Sequence, residues 1–203
     1  YDYSVATMVF LTPGEIFRMS KEDTLPPKGW LLAFHPDLLF RTSLKNHIKN
    51  YTFFSYHKEE ALHLSRRETS TVTCLLEHIE EELHHPIDAH TGTILSRHIE
   101  LLLDYCTRFY ERQFITRNEA NKTIIKQFDK IINNHFETKQ VPTVDILSHK
   151  YCANLLHLSP EYFNDLLKYE TGKSFKEYIE FKRFEIAKDW LVNTDKTINQ
   201  ITQ

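Results

Sequence analysis

Six side chains in the last third of the chain have the types and spacing to read a nucleic acid. Glu161, Asn164, Asp165 and Lys168 recur at steps of three and four, which sets them on one side of a helix. Tyr162 stands at the margin of that side and Lys173 just beyond its end. An asparagine carboxamide can pair both its groups with adenine, and a carboxylate can accept from the amino group of cytosine. Lys168 and Lys173 suit phosphates, which position a protein without specifying sequence. Two carboxylates among the four outward residues keep a plain solvated face open as the alternative. No covalent chemistry is indicated, since Gly-x-Ser-x-Gly, Cys-x-x-Cys and phosphate-loop patterns are absent from the sequence.

Positioning these residues falls to the stretch from 143 to 172. Val144, Leu147, Tyr151, Leu155 and Leu156 share one face of a first short helix, with Thr143 placed to cap it. His157, Leu158 and Ser159 make the break, and His157 reads as a packing residue. Ser159 then caps a second helix, with Pro160 at its first position, where a missing N–H costs nothing. Phe163, Leu166 and Leu167 form the buried stripe of that helix, and Gly172 supplies the left-handed residue that stops it. Helix, tight turn, helix is the plan of a helix-turn-helix, whose second helix enters the DNA major groove.

The pattern continues through Ser174, Phe175, Lys176, Glu177, Tyr178 and Ile179 to Arg183, Ala187 and Leu191. As a whole, LSPxYFxxLLKxETGxSFxEYI resembles the first half of the DNA-binding domain of AraC/XylS family transcription regulators. The resemblance implies that 116–203 holds the first helix-turn-helix unit, a connector helix capped by Ser174 and Glu177, and the start of a second unit at Thr197–Ile201. The connector's apolar positions, Tyr178, Ile179, Ile186 and Leu191, are expected to face back onto the first unit. By the same resemblance Glu161, Tyr162, Asn164, Asp165, Lys168 and Lys173 are the DNA-binding residues. Arg183 suits a structural pairing with a carboxylate inside the unit as readily as a phosphate. Residues 141–203 carry eight basic and nine acidic side chains, so the module brings little of the phosphate neutralisation that drives non-specific affinity.

Ahead of that region the chain predicts an α+β fold. Strands are expected at Met8, Val9, Phe10 and Leu11, at 15–19, at 30–34 and at 51–56, and together they make a small antiparallel part. The segments KGWLLAFHPDLL and YTFFSY resemble later strands of the cupin-like ligand-binding domain of many AraC-type regulators. That makes 1–60 a partial cupin-like domain, with Trp30, Phe34, Phe53 and Tyr56 lining a small-molecule effector site. A helix opens at the capping box Ser65-x-x-Glu68, with Val72, Leu75, Leu76, Ile79 and Leu83 as its stripe. A second runs over about 91–114 and lines up Leu95, Ile99, Leu102, Cys106 and Phe109, widened by Leu103, Tyr110 and Phe114. In that family the helices after the cupin carry the dimer contact, so 61–115 is expected to form the dimerisation hairpin; covering the sheet is the other use of so broad a stripe. Thr116-x-x-Glu119 is a further capping box, opening a helix with Ile124, Ile125, Phe128, Ile131, Ile132 and Phe136 inward and a polar loop after it at 137–142.

Composition narrows the classes. With 41% apolar and 26% charged residues in 203, the chain is an ordinary globular one, and its net charge of −3 gives no overall pull toward DNA. Cys74, Cys106 and Cys152 lie in apolar helical patterns without metal-ligand spacing, which fits a reducing compartment. No apolar run approaches the roughly 20 residues of a membrane span. A cytoplasmic location is expected, with no cofactor and no membrane partner. Twelve histidines raise a metal site, yet His35, His47, His57 and His63 lack ligand spacing, while His78, His84 and His85 fall on a helix surface. The function expected is therefore a non-enzymatic, sequence-specific DNA-binding regulator of AraC type, homodimeric and effector-controlled, acting on double-stranded DNA. The alternatives are a cupin-type metal-dependent enzyme with helical additions and a helical dimerisation adaptor.

Overall fold

The computed structural model of the protein describes residues 5–16, 28–40, 42–137 and 147–193. Thr143, Val144, most of the 137–142 loop, 17–19 of the expected second strand and Thr197–Ile201 lie outside them. The fold is α+β, mainly helical with one small antiparallel sheet, and the chain divides into two compact units, Tyr1–Gln113 and Phe114–Gln203.

In the first unit, strand β1 (Ala6–Met8) pairs with β2 (Leu62–Leu64) so that Ala6 faces Leu64 and Met8 faces Leu62. The other expected strands do not form a ladder among the described residues. At 30–34 the chain is irregular, with Leu32 and Phe34 leaning on the core and Leu31 88% exposed. The aromatic run at 51–56 winds into a short 3-10 turn, Thr52–Ser55, in which the Phe54 and Tyr56 N–H groups find carbonyls three residues back and need no neighbouring strand. Phe53 thereby enters the core, its ring 4.4 Å from Phe10 and stacked on Tyr110 at 5.4 Å. A single-turn helix α1 (Leu44–His47) and further 3-10 turns complete this front part.

Helix α2 (Arg66–His84) starts as expected: Ser65 Oγ accepts the Glu68 N–H and Glu68 accepts the Ser65 N–H in return. Its stripe is Val72, Leu75, Leu76 and Ile79, while Leu83 is 65% exposed. Helix α3 (Thr91–Thr116) faces it and adds Leu95, Ile99, Leu102, Leu103, Cys106, Phe109 and Tyr110 to the same core. Arg112 holds Glu68 through two hydrogen bonds, Nε at 2.9 Å and Nη2 at 2.8 Å, and Nη2 also donates to the carbonyl of His63.

The second unit is built from α4 (Asn118–Glu137), α5 (His149–Leu155), α6 (Pro160–Thr171) and α7 (Phe175–Asn193). Phe128 and Ile132 of α4, Cys152 and Ala153 of α5, Phe163 and Leu167 of α6 and Tyr178 of α7 share one core with Leu147. Thr116 does not cap α4, since it is the last residue of α3 and Arg117 intervenes before Asn118. Ser148, not Thr143, caps α5, accepting the N–H of Tyr151. Cys152 and Ala153 point inward, whereas Tyr151 and Leu155, expected on the buried face, are 47% and 46% exposed.

Candidate nucleic-acid interface

Helix α5 ends in a Schellman motif: Leu158 N–H donates to the Ala153 carbonyl at 3.0 Å and His157 N–H to that of Asn154 at 3.1 Å. The motif needs a left-handed residue, and His157 supplies it at φ 56°. His157 is exposed and is thus a backbone pivot, not the packing residue its neighbours suggested. Ser159 then accepts the Tyr162 N–H, Pro160 takes the first position of α6, and Gly172 closes that helix at φ 71° with its N–H on the Lys168 carbonyl. Both ends of α6 are therefore fixed by local chemistry.

Packing fixes the roll of α6 about its axis. Phe163, Leu166 and Leu167 are fully buried, with the Phe163 ring edge-on to Phe128 at 4.8 Å. Tyr162 corrects the expected margin: it is 4% exposed, packs its ring 5.4 Å from Phe114, and is not available to DNA. Tyr169 also stacks on Phe114, at 5.5 Å. Buried Asn121 of α4 donates to the Phe114 carbonyl at 2.8 Å and to Glu170 at 3.3 Å, which ties the end of α6 down.

On the opposite flank Glu161, Asn164 and Asp165 are half-buried and Lys168 is exposed, so the structure brings these four together on one open side of α6. Asn164 also reaches beyond its helix, as its Oδ1 accepts the Phe175 N–H at 3.3 Å. Lys173 lies past Gly172 with its ammonium 4.8 Å over the Phe181 ring. At the start of α7, Ser174 and Glu177 form the expected box, with both Ser174 donors 2.7 Å from the Glu177 carboxylate. Those bonds, helped by the charges of Lys168 and Lys173, hold the Glu177 carboxyl below the usual range.

Helix α7 anchors through Tyr178, whose hydroxyl donates to Asp129 at 2.7 Å, while Lys182 lies 3.4 Å from the same carboxylate. Burial, then Asp129, raises the Tyr178 hydroxyl well above its ordinary value. Ile179 and Ile186 pack inward with it. Leu191 does not; it is 51% exposed, on the far side of the helix with Phe184 and Val192, and Arg183 is exposed too.

The other expected sites fare differently. Leu95, Ile99, Leu102, Cys106 and Phe109, expected at a dimer contact, are at most 7% exposed and fill the core of their own unit. Of the expected effector residues, Phe53 is core, Phe34 and Tyr56 pack against that core, and Trp30 is 49% exposed. A cleft of ≈ 370 Å³ elsewhere in the unit is lined by His47, Asn50, Tyr51, Glu100, Asp104 and Thr107. Its signal was present in the sequence, since Glu100, Asp104 and Thr107 follow one another at helical spacing on the polar side of α3. There the Glu100 carboxylate accepts from Ser43 at 2.9 Å and Tyr51 donates to Asp104 at 2.7 Å. Among the described residues no group of three or more His, Cys, Asp or Glu side chains is arranged to hold a metal. Burial pushes the Cys106 thiol up to about 12 and that of Cys152 to about 11, so neither is a thiolate at neutral pH. No helix among the described residues is long and apolar enough to cross a membrane.

Comparison with known proteins adds one relation. Over 82 residues, 40% of this chain, the sequence is 33% identical to the "Uncharacterized HTH-type transcriptional regulator YtdP" of Bacillus subtilis (strain 168). The matched part is 10% of that protein, so the chain spans about a tenth of its length. No family model and no solved structure matches the chain.

Proposed function

We propose that this chain is the DNA-reading part of a transcription regulator, with α5 and α6 as its helix-turn-helix and α6 in the major groove. One observation carries the reading: α6 is pinned along Phe163, Leu166 and Leu167 while Glu161, Asn164, Asp165 and Lys168 stay together on its open flank. The partial identity to an HTH-type regulator supports the same class. The resemblance of LSPxYFxxLLKxETGxSFxEYI to AraC-type regulators supports the finer assignment, including a dimer and control by a small effector. On this reading the protein does no chemistry on its ligand. It converts effector binding into a change in how DNA is held.

Affinity is predicted to be modest. Residues 114–203 carry thirteen basic and twelve acidic side chains, so few phosphates are neutralised. Fluorescence anisotropy of these 203 residues on randomised duplexes at low salt is expected to give a Kd of roughly 10⁻⁶ M or weaker, with log K falling by about 2 per decade of salt, as for about two phosphate contacts. No binding to any duplex would contradict the regulator. Nanomolar, sequence-specific binding by these residues alone would contradict the electrostatic part of the reading.

A further inference from the structure

Three side chains at the two ends of α6 converge on residues that lie outside the helix-turn-helix. Tyr162 stands in the first turn of α6, and Tyr169 and Glu170 in its last. Tyr162 and Tyr169 are seven residues apart, so two turns separate them on one side of the helix. Both rings meet the same ring: Phe114 lies 5.4 Å from Tyr162 and 5.5 Å from Tyr169. Phe114 is 5% exposed and is the first residue of the second unit, in the last turn of α3.

Asn121 of α4 ties the same two places together. It is 1% exposed, and its Nδ2 donates to the Phe114 carbonyl at 2.8 Å and to Glu170 Oε1 at 3.3 Å. A carboxamide nitrogen carries two hydrogens, so both bonds are made at once. One group thus fixes the backbone that carries the Phe114 ring and the helix end that the ring touches.

The stripe of Phe163, Leu166 and Leu167 holds α6 along one line, about which a rod can still rock. Tyr162 and Tyr169 supply a second line of contact, roughly 100° round the helix from the middle of that stripe. Asn164, Asp165 and Lys168 lie between the two tyrosines in sequence. A recognition group must be held to within about 0.5 Å of its working geometry, which a rocking helix does not give.

We propose that Phe114, seated by Asn121, is a positioning residue of the reading helix: it clamps both ends of α6, so that the groups between them meet DNA in one fixed geometry, while Phe114 itself touches no nucleotide. This rests on the reading that α6 meets DNA.

The test uses the 203-residue chain and has two arms. The first is hydrogen exchange at the Phe163 and Gly172 amides, which bond to the Ser159 and Lys168 carbonyls in the first and last turns of α6. The second is the preference for duplexes selected from a randomised pool over random ones. F114L keeps an apolar side chain but removes the ring; N121A removes both donors. In each, exchange should quicken by about two- to tenfold, the range for one aromatic pair or one hydrogen bond. Preference for selected duplexes should fall by roughly fivefold, the lower end for one base contact. Affinity for random duplexes, set by phosphates, should hold within about twofold. The double variant should do no more than the worse single one, since both release one clamp. A merely structural role would lower stability and leave the duplex preference of the folded protein intact. Tyr169 is 44% exposed, so Y169L, which takes one ring off the clamp, decides the matter if the buried variants do not fold. Unchanged exchange in the folded variants, or quickened exchange with the duplex preference unaltered, would overturn the proposal. A wild-type chain that prefers no sequence would instead overturn the regulator reading, while the exchange still judges the clamp.

Discussion

Helices α3 and α6 were each expected to offer a face to a partner, and they treat that face in opposite ways. Helix α3 carries a broad apolar stripe, and every residue nominated for a second chain is used up in its own unit's core. Helix α6 buries four residues, Tyr162, Phe163, Leu166 and Leu167, and leaves a polar flank half-buried to exposed. Breadth of an apolar stripe therefore speaks first of how much the chain itself must bury. What a helix has left for a partner is the flank its core does not need.

The comparison breaks most readily in the two cores. Phe163→Ala removes a fully buried ring and should cost about 3–5 kcal/mol in denaturant unfolding of the second unit. Leu102→Ala in α3 should cost about 2–5 kcal/mol of the first unit's stability. Were Leu102→Ala to leave unfolding unchanged and alter self-association by analytical ultracentrifugation instead, α3 would be a partner face after all.

A smaller effect in the first unit depends on pH. Arg112 and Glu68 have side chains 20% and 13% exposed, so Arg112→Ala should destabilise the first unit by roughly 1–3 kcal/mol. Burial alone would raise the Glu68 carboxyl, but the bonds from Ser65 and Arg112 outweigh it and hold the group below its ordinary 4.5. A depressed carboxylate stabilises above its unfolded value and loses that contribution as pH falls through the folded one. Acid titration should therefore show the first unit weakening below about pH 4.5, and Glu68→Gln should flatten that limb.

Next come the two left-handed residues that bracket the reading helix. Gly172→Ala places a Cβ at φ 71° and should cost about 1 kcal/mol, whereas His157→Gly removes one at φ 56° and should stabilise by a similar amount, about 1 kcal/mol. Thermal unfolding of both variants checks the sign. Least of all, Lys168→Ala should change stability by no more than about 0.5 kcal/mol while lowering affinity for every duplex alike. A stability loss larger than that would place Lys168 in the fold and not on the open flank.

What could be read in the sequence was what short-range rules decide. The boxes at Ser65 and Glu68 and at Ser174 and Glu177, the cap at Ser159, the stop at Gly172 and the stripe of α6 are all set by neighbours within one or two turns. The aromatic run at 51–56 misled because β-propensity describes a residue that has a strand to pair with, and here no such strand pairs with it among the described residues. Strand β2 is three residues long and offers too little alternation to register. The bond from Asn164 to Phe175 joins two helices across a glycine stop, so no periodicity carries it. The dimer stripe failed for another reason: spacing tells that a face is apolar, but not which surface covers it.

The most direct measurement is an amide-shift titration of the 15N-labelled chain with a mixed-sequence duplex of about 20 base pairs at low salt, a length that spans about two turns of DNA. The account predicts that the largest shifts fall on Glu161, Asn164, Asp165 and Lys168, fading across the buried flank at Phe163 and Leu167. Shifts that are absent, or that gather on the exposed side of α7 at Phe184 and Leu191, would contradict it.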